Sequence, residues 1–252
     1  MNRLLLRASL VAAMLTLVAS SAFAVPLPGL NLAWNNCATQ GGVQNLDFTC
    51  DDNGFQFVAA GSFVLGADLA GVTGVEIILD LISATPTLPA WWDLGPTACR
   101  DALAANPGAP FSNTLCRDWA ANSAAGGLAS YSSDLGSIDP SNTAAHRRIL
   151  AGFAVGTAKN LLGLTREYYC VNLIVASNGT IAPDPVCAGC TTPVCIVLNS
   201  VNVVPGTNAA TIVGSPSLGT SAQITWQGGV SANCSAVPTK NATWGQVKAL
   251  YR

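Results

Sequence analysis

Six segments of this chain run apolar, or alternate apolar with polar, for five to eleven residues, and turn residues separate them. That rhythm leaves few architectures open. The segments are 55–65 (FQFVAAGSFVL), 75–81 (VEIILDL), 148–155 (RILAGFAV), 168–176 (YYCVNLIVA), 195–204 (CIVLNSVNVV) and 223–227 (QITWQ). In VEIILDL, Val75, Ile77, Leu79 and Leu81 fall on one face and Glu76 and Asp80 on the other, the period of a half-buried strand. Ser177-Asn178-Gly179, Pro205-Gly206-Thr207 and Gly214-Ser215-Pro216 supply turns between them. Composition agrees: only 10% of residues are charged, with two glutamates and three lysines, so good helix formers other than alanine are scarce. The expected fold is all-β, an antiparallel β-sandwich.

Two stretches depart from this pattern. Residues 84–142 are rich in Pro, Ala, Gly and Ser and carry Trp91, Trp92, Trp119, Cys99 and Cys116. They read as a long decorated crossover at one end of the sandwich, with short helical turns near 97–105 and 113–121. The chain then closes on PTKNATWGQVKALYR. There Thr243 and Gln246 have capping-box spacing, and Trp244, Val247 and Leu250 or Tyr251 share one helical face. Lys248 and Arg252 lie where a helix dipole favours cations. Residues 237–252 are therefore expected to be a linker and a short C-terminal helix, either docked on the sandwich or serving as a sorting signal.

The first 24 residues have the form of a secretory leader: Arg3 and Arg7, an apolar stretch over 10–19, then Ala22-Phe23-Ala24. Cleavage after Ala24 would leave one domain over 25–236 followed by the tail. The first cysteine, Cys37, is too far downstream to carry a lipid at that cut. No later run of about 18 apolar residues points to a transmembrane segment. Without the leader, nine basic residues face thirteen acidic ones, a balance that argues against a nucleic-acid partner. The expected location is outside the cytoplasm: periplasmic, extracellular or at the cell surface.

Nine cysteines in such a chain imply a disulfide framework with one thiol left over. Cys37 and Cys50 flank a Gly-rich loop and form one candidate pair; Cys99 and Cys116 form another. Antiparallel pairing of 195–204 with 223–227 would bring Cys234 near CAGCTTPVC (187–195). Cys190–Cys195 with Cys187–Cys234 leads there, and the other pairings of those four stay open. Zinc would want a second ligand pair near Cys187-x-x-Cys190, and a redox motif would want a helix after it. Proline-rich flanks and a following strand favour a staple. Cys170, in mid-strand, is the candidate free thiol, buried as a small hydrophobe or exposed for an intermolecular bridge.

Catalytic chemistry finds little support. His146 is the single histidine, and it sits beside Arg147 and Arg148 as a solvated side chain at the start of a strand. No nucleophile elbow, phosphate loop or dinucleotide fingerprint appears, and no cofactor or metal is expected. Glu76, Glu167 and aspartates such as Asp80, Asp93 and Asp118 would have to supply any glycosidase pair. Asp51-Asp52-Asn53-Gly54 reads as an acidic turn rather than a calcium loop. The binding candidates are Trp91 and Trp92. Adjacent residues on an extended segment point to opposite sides, so one could stack on a surface glycan or a protein partner while the other packs under the crossover.

The chain resembles a group of exported bacterial proteins through NLAWNNC, LPAWWDLG, EYYCVNLIV, CAGCTTPVCIVLNSV, ITWQGG and TWGQVKALYR. The resemblance covers most of the mature chain, implies export and names no activity. It also marks Cys170 as a departure from the pattern, as suits the odd thiol. The sandwich itself looks like immunoglobulin-like or cohesin-like modules. The expected role is a secreted, non-catalytic binding or structural module. The opposing expectation is a secreted hydrolase acting on polysaccharide or peptide.

Overall fold

The computed structural model describes residues 28–94, 98–101, 103–108, 116–132, 143–164, 166–205, 211–213 and 222–228. The leader (1–24) and the tail (237–252) lie outside the described residues. The described chain is an all-β structure of two sheets. The first carries β1 (Gly29–Trp34), β3 (Gln56–Val64), β5 (Leu103–Asn106), β6 (Cys116–Asp118) and β9 (Glu167–Ala176). The second carries β2 (Asn45–Leu46), β4 (Leu69–Ser83), β7 (Ala124–Ser132), β8 (His146–Leu161), β10 (Val194–Pro205), β11 (Thr211–Val213) and β12 (Gln223–Trp226).

Strand order is β1-β3-β9-β5 in the first sheet, with β6 added in parallel beside the start of β9. The second runs β2-β12-β10-β4-β8-β7, with β11 on β10. Apart from β6 on β9 and β2 on β12, the pairings are antiparallel. β4 and β8, each over fourteen residues long, form the spine of the second sheet and meet with Ile77 opposite Ala151 and Leu79 opposite Ile149.

The alternation read in 75–81 sets the inner layer: Val75, Ile77, Leu79 and Leu81 join one core cluster with Ile149, Phe153, Ile196, Leu198 and Ile224. Leu30, Leu32, Trp34, Phe63, Leu173 and Val175 face them from the first sheet. Burial of this apolar area is the main stabilising term.

Three features differ from the sequence reading. The crossover is not only a decoration at one end of the sandwich: it supplies β5, β6 and β7 to the two sheets. In the regions expected to be helical turns, 103–106 and 116–118 are strands, because each finds β9 as a hydrogen-bonding partner and tertiary pairing overrides weak helical propensity. β1 carried no alternation because it is buried along its whole length on both faces.

Candidate functional site

The chemistry-bearing residues fall into four places, and the first is a plug of aromatic rings between the sheets. Trp226, at the end of β12, is its hub. It stacks on Phe48 at 4.2 Å between centroids and meets Phe57 and Trp91 at 4.9 Å, Trp92 at 5.2 Å and Trp34 at 6.1 Å. Trp91 and Trp92 do not lie on an extended segment. They belong to the 3-10 turn Ala90–Trp92, whose rotation of roughly 120° per residue lets both rings swing inward. Both are fully buried, so neither offers a face to a sugar or a partner, and this corrects their standing as binding candidates. The Trp91 indole donates to Thr180 Oγ1 at 2.9 Å. The Arg100 guanidinium lies 3.4 Å from the Trp91 ring centroid. Its Nε donates to the Trp91 carbonyl, and Nη1 to the carbonyls of Ala176 and Asn178. Burial lowers the Arg100 pKa to about 9, so the group remains a cation at neutral pH. It is a structural clamp.

The outward face of the second sheet carries a buried ion pair. Asp80 and Arg148 are cross-strand partners, and Arg148 binds in a fork, Nε to Oδ1 at 2.9 Å and Nη2 to Oδ2 at 3.1 Å. A β-bulge between Leu198 and Ser200 leaves Asn199 out of the ladder, and its amide donates to Asp80 Oδ2 at 2.5 Å. Burial raises the Asp80 carboxyl against the opposing pull of Arg148, Asn199 and the nearby His146. His146 is 2% exposed rather than solvated, because the face it shares with Arg148 is covered. With both Asp80 oxygens engaged by Arg148 and Asn199, Asp80 is not free to orient an imidazole base.

The third place lies on the outward face of the first sheet. Glu167 Oε1 accepts from Asn31 Nδ2 at 2.9 Å and Ser62 Oγ at 2.5 Å, while Oε2 accepts from Thr39 through its hydroxyl and its backbone N–H. The sulfurs of Cys37 and Cys116 come within 4.8 Å of Glu167. They are bonded to each other, so they offer no thiolate to a metal.

Three disulfides are defined among the described residues: Cys37–Cys116, Cys50–Cys190 and Cys99–Cys187. Cys195 is disulfide-bonded too, with a partner outside the described residues. These pairings replace the expected Cys37–Cys50, Cys99–Cys116, Cys190–Cys195 and Cys187–Cys234. Cys37 stays on the first sheet with Tyr169, whereas the chain after it crosses through β2 and sets Cys50 against the main core. Cys99 and Cys116 sit at opposite ends of β9, since Arg100 reaches the carbonyl of Ala176 while Cys116 pairs with Glu167. Cys195 faces outward with Ile82 and Val197, whereas Cys190 belongs to the inner core. Cys170 is a free, buried thiol.

The acidic turn 51–54 is also structural. Asn53 Oδ1 accepts from the N–H groups of Thr180 and Ile181, and Asp52 Oδ1 from that of Gly54.

The fourth place is a shallow trough of about 470 Å³ on the open half of the second sheet's outward face, among β4, β7, β8 and β10. Gly74, Glu76, Ala125, Gly126, Gly152 and Ala154 shape it. Glu76 is its carboxylate, and its Oε2 accepts from Asn202 at 2.9 Å. Sequence reasoning missed the trough, although AAGG at 124–127 and AGFAVG around Gly152 already showed strands with no bulk on one face.

No protein-family model and no curated protein matches the sequence.

Proposed function

We propose that this protein is a non-catalytic extracellular or envelope module that binds a ligand or partner through the trough on its second sheet. The observation that carries this reading is how the interior polar groups are used. Asp80 and Arg100 are each spent on holding strands, turns or rings together, while the trough offers an apolar floor and a single carboxylate. A glycosidase-type mechanism needs two facing carboxylates about 5 to 9 Å apart; the described lining of the trough holds Glu76 alone. The three disulfides defined among the described residues support an oxidising compartment, and no described helix is long and apolar enough to cross a membrane. The leader-like N-terminus and that redox requirement are what support export as part of this reading. The likeness to immunoglobulin-like and cohesin-like sandwiches is one of architecture and carries no activity of its own.

The test is a screen of the mature protein against glycans, cell-wall material and envelope proteins, repeated with Gly152→Leu. A Cβ at Gly152 meets nothing within 4 Å, so the side chain fills the trough and leaves the fold intact. The expected result is a binding partner whose capture Gly152→Leu abolishes. Turnover of a polysaccharide or peptide by the purified protein, or binding indifferent to Gly152→Leu, overturns the proposal.

A further inference from the structure

Two carboxylates are buried to the same degree on opposite outward faces, and they are treated differently. Asp80 has Arg148; Glu167, 1% exposed, forms no ion pair with any described residue. Hydrogen bonds offset part of the cost of burying such an anion, but a counter-charge normally completes the balance.

The groups around Glu167 are those a hard cation uses. Asn31 and Ser62 are direct cross-strand partners on β1 and β3, so both side chains point to the same outward spot. Thr39 reaches the carboxylate from the 3-10 turn Ala38–Gln40. The loop that carries it is shaped by Asn35 and Gly41, both at positive φ, and is tied down by Cys37–Cys116. The Asn31 side-chain carbonyl is buried and has no hydrogen-bond partner, an orphan acceptor beside an unpaired anion. A half-turn of that amide exchanges its donor for this oxygen.

We propose that Glu167, Ser62 Oγ, Thr39 Oγ1 and Asn31 Oδ1 form a calcium site closed by the loop over residues 36–42. The two hydroxyls coordinate through their lone pairs with their hydrogens turned outward, and Asn31 presents its carbonyl. Calcium suits this irregular set of oxygens, whereas magnesium demands near-octahedral geometry and keeps its waters. A single carboxylate puts the site at the weak end of calcium affinities, about 10⁻⁴ to 10⁻³ M, the range of extracellular modules. Thr39 is solvent-exposed, so the loop gives the ion a short path in.

The test is calorimetric titration of the chelator-treated, disulfide-intact protein with calcium and, separately, with magnesium. One saturable calcium site of that affinity is expected, with magnesium at least tenfold weaker. Thr39→Val, at an exposed position, should keep the fold and weaken calcium binding about tenfold; Glu167→Gln should abolish it. Asn31→Asp separates a calcium site from a purely internal network. A second carboxylate should tighten calcium binding and enlarge the calcium-dependent rise in Tm, whereas without an ion it would only set like charges together. Absence of saturable binding up to 10-fold above the expected range, or binding unchanged by both Thr39→Val and Asn31→Asp, overturns the proposal even if Glu167→Gln fails to fold.

Discussion

At the scale of single residues, Cys170 shows what burial does to a reactive group. It lies in the core on β9, its Sγ 3.3 Å from the Gly61 carbonyl. Burial, reinforced by the Glu167 charge, pushes its thiol well above the usual value of 9.0. Above that pH the unfolded chain loses a proton that the folded chain keeps, so stability falls as pH rises, by up to about 1.4 kcal/mol per pH unit. Wild type should therefore lose stability between pH 9 and 10.5 faster than Cys170→Ala, as read by denaturant unfolding at each pH. Iodoacetamide should label Cys170 only after unfolding, and labelling of the native protein would contradict its burial. This residue was legible because its apolar segment already placed it inside. Trp91 and Trp92 were not, since their exposure depends on Trp226, more than a hundred residues away, folding over them.

At the scale of elements, the outward faces of the long strands explain what alternation alone conceals. The pattern in 75–81 correctly sent Glu76 and Asp80 to the outer side, but outer did not mean wet. Asp80 is buried against Arg148, and one residue of bulge in β10 brings Asn199 to it. Removing either partner alone, by Asp80→Ala or Arg148→Met, should cost about 3 to 5 kcal/mol, because the other charge is left buried. The pair Asp80→Leu with Arg148→Met should recover most of that loss in the same unfolding assay. Two glycines of the trough, Gly126 on β7 and Gly152 on β8, make a second contrast. Gly126 has φ +144°, and a Cβ there would stand 2.0 Å from the Gly152 carbonyl oxygen, so Gly126→Ala should clearly destabilise. Gly152→Ala, with open space around it, should change stability by no more than about 0.5 kcal/mol. Six strands were readable from periodicity. β1, β5, β6 and β7 were not, because β1 is buried throughout, β5 and β7 are made largely of small residues with no apolar stripe, and β6 is only three residues long.

At the scale of the whole molecule, the cysteines act between distant parts of the chain. The three defined bridges span 79, 140 and 88 residues, and each ties a loop or short strand to an element far along the sequence. In the chain-entropy account a loop near 100 residues contributes about 4 to 5 kcal/mol by restricting the unfolded chain, more than a bridge across a short turn would. Spacing favoured the short pairings, since neighbours in sequence look like neighbours in space. Only the topology shows that Cys37 and Cys50 part toward different sheets and that Cys99 and Cys116 stand at opposite ends of β9. The sandwich was thus legible from local pattern, and its stapling was not. Peptide mapping of the folded protein without reduction tests this most directly. The account predicts linked peptides joining Cys37 to Cys116, Cys50 to Cys190 and Cys99 to Cys187, with Cys170 unlinked; a peptide joining Cys37 to Cys50, Cys99 to Cys116 or Cys190 to Cys195 would contradict it.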